Sequence, residues 1–181
     1  MDTLGFIELS SIASGIEIGD AMLKAVGIDL IFAKASCPGK YYIMINGQIA
    51  NVEKAIKIGK DTAKGYLVSS LVLSRIHPKV IAAVNMSGMT EKMEAIGVME
   101  FFSVTSSIIA ADTAVKASPV DLVDLRLGTG IGGKSFVVIS GDTSSVKIAV
   151  DAAIAGMADD GMLVNKTVIS KPDKKLLQAL L

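Results

Sequence analysis

Several residue types are scarce in this chain of 181 residues, and each scarcity excludes a class of protein. A single cysteine, Cys37, rules out a disulfide within the chain and any metal site built from several cysteines of one chain. With one histidine, His77, no Ser-His-Asp set is assignable, and we find no enzyme active site. Aromatic residues make up 4% and tryptophan is absent, while 18 basic residues balance 18 acidic ones. Nucleic-acid binding, which needs a basic patch and often stacking aromatics, is therefore not expected.

Long hydrophobic runs are also missing, although 51% of the residues are hydrophobic and the mean hydropathy is +0.55. Apolar stretches such as Gly97–Phe102 and Phe136–Ile139 fall far short of the roughly 20 residues that a membrane-spanning helix needs. The first residues, Met1–Leu4, lack the basic region of a signal peptide. We therefore expect a cytoplasmic chain without a membrane partner. Its surplus of apolar residues is expected at subunit interfaces.

The sequence contains an internal repeat. Leu4–Glu8 reappears as Ile96–Glu100, an offset of 92 residues, and further matches continue at this offset as far as Asp29-Leu30 and Asp121-Leu122. After Cys37 the offset becomes 94, and near the end of each copy it becomes 96. The second copy therefore carries two extra residues in each of two places, both interpreted as loops. This pattern indicates a duplicated domain.

Each copy predicts the element order β-α-β-β-α-β-α from its hydrophobic periodicity. In the first copy, Ser10 or Ser11 is the expected N-cap of the first helix. The predicted elements are strand Gly5–Glu8, a helix over about 11–26, strands Asp29–Ser36 and Lys40–Asn46, a helix from Ile49 to about Lys64, strand Leu67–Leu73 and helix His77–Val84. The fold class is α/β (α+β): two tandem ferredoxin-like domains, each with a mainly antiparallel sheet flanked by helices. We assign domain 1 to residues 1–84, a linker to 85–95 and domain 2 to 96–181.

The motifs of both copies resemble those of bacterial microcompartment shell domains. In that family a strand ends in Glu, and a helix then carries the pattern Asp-x-x-x-Lys-Ala. Here the two copies show Gly5–Glu8 with Asp20–Ala25, and Glu100 with Asp112–Ala117, and Val168–Pro172 resembles the family's terminal strand. The resemblance covers residues 4–181. The hairpin Ser36–Lys40 is similar to a narrower group, the iron–sulfur-binding tandem shell proteins of propanediol-utilising microcompartments and their relatives.

This resemblance implies a structural protein rather than an enzyme, located in the shell of a bacterial microcompartment in the cytoplasm. The chain would form a homotrimer of six domains, a flat pseudohexagonal tile that joins other tiles in a sheet. Four basic residues are expected at the tile edge, where a lysine stem can lie on apolar surface while its ammonium reaches a neighbouring tile. They are Lys24, Arg75, Lys116 and Lys171. Asp20 and Asp112, four residues before two of these lysines, are their expected local partners.

The resemblance also implies that the hairpin loops line a central pore. The expected pore-lining residues are Ser36, Pro38, Gly39, Thr129, Gly130, Ile131 and Gly132. Because the two loops differ, this pore has three-fold symmetry. Three copies of Cys37 would then hold one [4Fe–4S] cluster per trimer, although such clusters normally have four cysteine ligands. The fourth iron would take water, a hydroxyl such as that of Ser36 or an incoming ligand, so the cluster is easily lost and some preparations are expected to lack it.

Other interpretations stay open at this point. A lone cysteine is more often an inert, buried small residue than a metal ligand, although Pro38-Gly39 indicates a loop. The expected function is electron transfer across the shell to an encapsulated or cytosolic redox protein, or delivery of the cluster, with the pore closed to bulk metabolites. The alternatives are a tile whose pore conducts a metabolite, and a small-molecule-binding regulator with the same duplicated sheet. Gly128-x-Gly130-x-Gly132 resembles part of a dinucleotide fingerprint, but a strand follows it, which favours a hairpin. His77 is interpreted as a helix-start residue.

Overall fold

Two four-stranded antiparallel sheets, one in each repeat, carry the fold of this computed structural model, which describes residues 3–84, 93–157 and 161–180. The chain divides into two compact units. Unit 1 contains residues 1–76 and 129–133, and unit 2 contains residues 77–128 and 134–181. The duplicated α+β architecture predicted from the sequence is confirmed.

Unit 1 follows the predicted order of elements. These are β1 (Thr3–Leu9), α1 (Ile12–Ala25), β2 (Asp29–Ser36), β3 (Lys40–Gly47), α2 (Ile49–Thr62) and β4 (Leu67–Leu73). The strands lie in the order β2-β3-β1-β4, and every neighbouring pair is antiparallel. All seven residues of the central strand β1 are buried; β3 and β4 pair with its two edges, and α1 and α2 pack against it.

Unit 2 begins with the helix that follows β4 in the chain. Its elements are α3 (Pro78–Val84), β5 (Ala95–Phe101), α4 (Val104–Ala117), β6 (Asp121–Leu127), β7 (Ser135–Gly141), α5 (Thr143–Ala155), β8 (Leu163–Ser170) and α6 (Lys174–Leu180). The sheet has the equivalent order, β6-β7-β5-β8. Helix α3 belongs to the first repeat by sequence, yet it packs against β6 and α4. Residues 85–92 of the predicted linker lie outside the described residues, and Ala95 is the first residue of β5.

Glycine allows a helix to pack closely on the central strand in both units. A Cβ atom on Gly5 would lie 2.8 Å from Ile45 Cγ1 and 2.8 Å from Val52 Cγ1, a side chain of α2. A Cβ atom on Gly97 would lie 2.7 Å from Val150 Cγ2 in α5. All three distances are far below ordinary van der Waals contact, so any larger residue would push the helix away from the sheet.

Serine begins the first helix of each repeat. Ser11 accepts a hydrogen bond from the backbone N–H of Ser14 at 3.3 Å, and Ser103 accepts one from Ser106 at 3.4 Å. These bonds satisfy backbone donors that a helix end leaves free. Ser11, one of the two predicted candidates, is thus the N-cap of α1. None of the helices among the described residues combines the length and apolar character needed to span a membrane.

Candidate functional site

The single cysteine of the chain lies in the turn between β2 and β3 of unit 1. Ser36 pairs with Lys40 across the hairpin, and the backbone N–H of Gly39 donates to the Ser36 carbonyl at 2.9 Å. Gly39 has a φ of +85°, a conformation that glycine adopts without steric cost. Cys37 is partly exposed and Pro38 and Gly39 are exposed, so the thiol is not an inert core residue.

The loop 129–133, which joins β6 to β7, contacts this turn within unit 1. The hydroxyl oxygens of Ser36 and Thr129 are 3.4 Å apart. A Cβ atom on Gly133 would lie 3.0 Å from Pro38 Cδ and 3.1 Å from the Cys37 carbonyl oxygen, and Gly133 has a φ of +82°. Only glycine fits this approach. The sequence placed Gly133 in the predicted pore loop as the counterpart of Gly39, but nothing in the glycine run indicated its contact with Pro38.

Gly130 and Gly132 of the same loop face open space. No heavy atom lies within 4 Å of a Cβ atom built on Gly130 or Gly132, and Ile131 is half-buried. The connection links two adjacent antiparallel strands, β6 and β7. The hairpin interpretation of the Gly128-x-Gly130-x-Gly132 run is therefore confirmed, and a dinucleotide fingerprint, which opens a helix, is excluded. The pore role of these loop residues stays a prediction.

A buried ion pair at the base of the β2–β3 hairpin holds the turn that carries Cys37. Lys40 Nζ lies 2.6 Å from Glu8 Oε1, and the Ser69 hydroxyl donates to Glu8 Oε2 at 2.7 Å. The Glu8 side chain is only 4% exposed, so these two partners take the place of the water that would surround an exposed carboxylate. Lys40 directly follows the turn residue Gly39. The pair therefore joins the base of the hairpin to β1 and, through Ser69, to β4.

Tyr42 lies next to this pair and is fully buried. Its ring packs edge-on against Phe6, with 5.5 Å between the ring centroids. Within the described part of the chain its hydroxyl makes no regular hydrogen bond. Burial raises the pKa of Tyr42, and the nearby Glu8 adds to the rise while Ser36 opposes it. The phenol is therefore neutral at physiological pH. Sequence reasoning missed this residue, although the second repeat has Phe136 in its place.

The described residues of one chain contain no ready-made metal site. Among the described residues there is no cluster of three or more His, Cys, Asp or Glu side chains able to hold a metal ion. Cys37 offers one thiol, and the carboxylate of Glu8 is already bound to Lys40. Because each chain has one cysteine, a centre held by several thiolates at Cys37 would need the same residue from several chains.

The predicted edge residues occupy equivalent positions in the two repeats. Lys24 Nζ lies 2.6 Å from Asp20, and Lys116 pairs with Asp112 in the same way, which confirms the expected local partners. The backbone is left-handed just after β4 and β8, with φ of +56° at Arg75 and +52° at Lys171. Both residues are exposed. The role of the four basic residues at a tile edge stays a prediction.

Two tandem α+β domains, each with a four-stranded antiparallel sheet and flanking helices, define the structural class. The signature of the BMC domain matches residues 3–76 and 95–172. The chain therefore belongs to the family of bacterial microcompartment shell proteins with tandem BMC domains, as its motifs suggested. This places it in the shell of a bacterial microcompartment in the cytoplasm. The family is one of structural shell proteins and not a known enzyme family.

Three relatives illustrate this membership. The shell protein PduT of Citrobacter freundii is 43% identical over 173 residues, which cover 96% of this chain and 94% of PduT. A crystallised microcompartment protein from Desulfitobacterium hafniense is 44% identical with a TM-score of 0.93, and the match covers 98% of this chain and 99% of that one. The shell protein EutM of Escherichia coli K12 is 37% identical over 81 residues, which cover 44% of this chain and 80% of EutM.

Proposed function

We propose that this shell protein forms a homotrimeric, pseudohexagonal tile whose central pore binds one [4Fe–4S] cluster through three copies of Cys37. The cluster would carry electrons across the shell. The observation that carries the proposal is the position of the chain's only thiol, partly exposed in a tight turn and free of any disulfide. Because each chain has two tandem domains, three chains supply the six domains of one tile.

Symmetry converts one thiol per chain into a ligand set. In a closed ring of three chains, the same turn of each chain lies at the same distance from the symmetry axis, so turns close to that axis bring three thiols together. Pro38 and Gly39 have no bulky side chain that would keep the turns apart, and Gly133 lets the second loop lie flat against the first. Thiolates are the usual ligands of iron–sulfur clusters, so the donor chemistry fits.

The surrounding residues have defined tasks in this proposal. The Lys40–Glu8 pair holds the hairpin base in place, and the neutral Tyr42 fills the core behind it without adding charge. Ser36, adjacent to the thiol, is the protein hydroxyl available to the fourth iron. When bound, a cluster supplies one-electron transfer. The electron would enter from a one-electron donor protein on one side of the shell and leave to an acceptor protein on the other.

A metabolite-conducting pore is the competing function for the same tile. In that case Cys37 is incidental, and the glycines of loop 129–133 would shape an open channel. A small-molecule-binding regulator loses support, because the relatives that match the whole chain are shell proteins. Iron content separates the two shell functions directly.

The test is anaerobic reconstitution of the wild-type chain and of Cys37→Ser with iron and sulfide. The wild type is expected to bind about 1.3 irons per chain, that is four per trimer, with broad visible absorption and a paramagnetic signal after reduction. Cys37→Ser should lose the colour and the signal while remaining trimeric in sedimentation experiments. Ser74→Ala, at an exposed serine after β4 and outside the hairpin, is the matched control, since it leaves all three thiols and Ser36 in place and should keep the iron.

Two results would contradict the proposal. Colour and iron that persist in Cys37→Ser would show that the cluster lies elsewhere or is adventitious. A colourless wild-type trimer after thorough reconstitution would favour the metabolite pore.

A further inference from the structure

Helix α3 provides an internal example of how a groove on this fold is filled. Lys79 Nζ donates to the Val120 carbonyl at 2.8 Å and to Asp121 Oδ1 at 2.6 Å, and the His77 N–H donates to Asp112 Oδ1 at 2.8 Å. Behind these polar contacts Val80 is fully buried. Together these contacts fix α3 across the groove between α4 and β6.

Helix α6 is the counterpart of α3 in the second repeat. It follows β8 as α3 follows β4, and an offset of 96 residues aligns Lys175 with Lys79 and Leu176 with Val80. Both helices begin alike: the Lys175 N–H donates to Asp173 Oδ1 at 2.8 Å, as the Lys79 N–H donates to His77 Nδ1. However, α6 does not pack extensively against any other described element of its unit. Leu176 is accordingly 45% exposed.

The groove between α1 and β2 of unit 1, called here the α1–β2 groove, is the counterpart of the one that α3 occupies. It is open, with a volume of about 200 Å³. Large apolar side chains of this groove are exposed, whereas their counterparts in unit 2 are buried. The matching pairs and their exposures are Ile16 (57%) with Ile108 (0%), Leu23 (38%) with Val115 (9%) and Leu30 (45%) with Leu122 (4%).

Charge complementarity identifies the occupant. Asp29, the counterpart of Asp121, is exposed at the start of β2, directly before the groove residue Leu30, and Asp20, which lines the groove, is the counterpart of Asp112. An incoming helix therefore needs a lysine for Asp29, a backbone N–H for Asp20 and an apolar residue one position after the lysine. The C-terminal segment supplies this set in the same order as α3: the backbone N–H of Asp173, the counterpart of His77, comes first, and Lys175 and Leu176 of α6 follow.

We infer that α6 of one chain docks in the α1–β2 groove of a second copy of this chain, in the way that α3 lies on α4 and β6. Lys175 then pairs with Asp29 of the neighbouring copy, and Leu176 is buried on its α1. This inference rests on the homotrimer of the proposed function. Because helix and groove are different surfaces, the contact is head-to-tail, and three such contacts close a ring. All six equivalent grooves of a trimer are then filled, three by α3 and three by α6.

Sedimentation over a range of chain concentrations tests this inference. Leu176→Asp is expected to raise the concentration at which half of the chains are assembled by at least about a hundredfold, because each contact would bury an unpaired carboxylate. Asp29→Lys and Lys175→Asp should each raise it by about tenfold. The double variant should return to within about threefold of the wild type, since it restores the pair with reversed charge.

Lys174→Asp is the matched control. It makes the same charge reversal one residue earlier on α6, but its counterpart Pro78 is exposed. Assembly of this variant should stay within about twofold of the wild type. Circular dichroism should be unchanged in every variant, because none of the substituted side chains is buried within its own unit.

The outcomes separate this inference from the proposed tile. A wild-type trimer that Leu176→Asp and both charge reversals leave intact would overturn the docking of α6 and leave the tile standing. If the substitutions lower the stability of the single chain and leave assembly unchanged at every chain concentration, α6 packs on its own chain. That result also overturns the inference. A wild type that stays monomeric at all concentrations would overturn both the tile and the docking.

Discussion

Helices α1 and α4 have the same length and the same beginning, but very different surroundings. Each has 14 residues, a serine N-cap and an Asp–Lys pair in its last turns. Four residues of α1 are buried, against nine of α4. Duplication therefore preserved the backbone and the local polar contacts. The apolar outer surface is covered by a helix of the same chain in unit 2 and is open in unit 1, where a second copy is the proposed cover.

The ion pair under each hairpin offers a second comparison. Glu8 with Lys40 and Glu100 with Lys134 occupy equivalent places, and the two N–O distances are both 2.6 Å. The glutamate side chain is 4% exposed in unit 1 and 34% exposed in unit 2. Water can therefore solvate Glu100 when its lysine is lost, but it reaches Glu8 much less.

The largest expected effect follows from this difference. Lys40→Ala should lower the free energy of unfolding by roughly 3 kcal/mol, because it leaves a buried carboxylate with one neutral donor. Lys134→Ala should cost about 1 kcal/mol or less, as for a half-exposed pair. Denaturant titration checks both. In a Glu8→Gln background the further loss from Lys40→Ala should fall below about 1 kcal/mol, and equal losses from the two lysine variants would contradict the argument.

A packing difference gives the next effect. A Cβ atom on Gly15 of α1 would lie 2.5–2.6 Å from atoms of Tyr41, whereas the counterparts of these two residues are Ser107 and Ser135. Gly15→Ala should therefore destabilise the protein by about 2 kcal/mol. Adding Tyr41→Ser should recover part of this loss, since it removes the clashing ring.

The control for this packing effect lies on the same helix. A Cβ atom on Gly19 would make an ordinary contact, 3.4 Å from Ile43 Cδ1, and its counterpart is Ala111. Gly19→Ala should leave stability unchanged or raise it by about 0.5 kcal/mol, because alanine favours a helix. A loss for Gly19→Ala as large as that for Gly15→Ala would show that helix α1 tolerates no side chain on this face, whatever its distance to Tyr41.

The smallest effect concerns the N-caps of α2 and α5. Asp142 caps α5 by accepting from the backbone N–H groups of Ser144 and Ser145, but Gln48 makes no such bond for α2. Gln48→Asp should stabilise the protein by about 0.5–1 kcal/mol, since aspartate satisfies free donors of the first turn. A thermal melt measures the gain, and Gln48→Glu is the control, because its longer side chain caps poorly.

The cap of α5 also makes stability depend on pH. Hydrogen bonds from Ser144 and Ser145 hold the pKa of Asp142 far below its usual 3.8. A carboxyl whose pKa is lower in the folded state contributes its stabilisation above the unfolded pKa and loses it as the pH falls toward the folded value. The melting temperature of the wild type should therefore drop relative to Asp142→Asn below about pH 4. Parallel curves for the two proteins would show that the carboxylate adds nothing beyond a neutral cap.

Much of the fold could be predicted from the sequence. Strands β2 and β4 were predicted with their observed bounds, and the Asp–Lys pairs were identified by their four-residue spacing. These features depend on neighbours in the chain, where periodicity and capping rules apply directly. The candidate site was predictable only in part. The position of Cys37 in a loop was predicted from Pro38-Gly39. The contact of Gly133 with Pro38 was not predictable, because it joins residues far apart in sequence.

The sequence by itself determined the duplication, the order of the elements, the family and the single thiol available for a shared centre. Only the tertiary structure decided that α3 packs on the second repeat, that Tyr42 and Glu8 are buried behind the Cys37 turn, and that the α1–β2 groove stays open. The physical reason is that burial depends on which distant segments meet. Local hydrophobic patterns show that a face is apolar, but not which helix covers it.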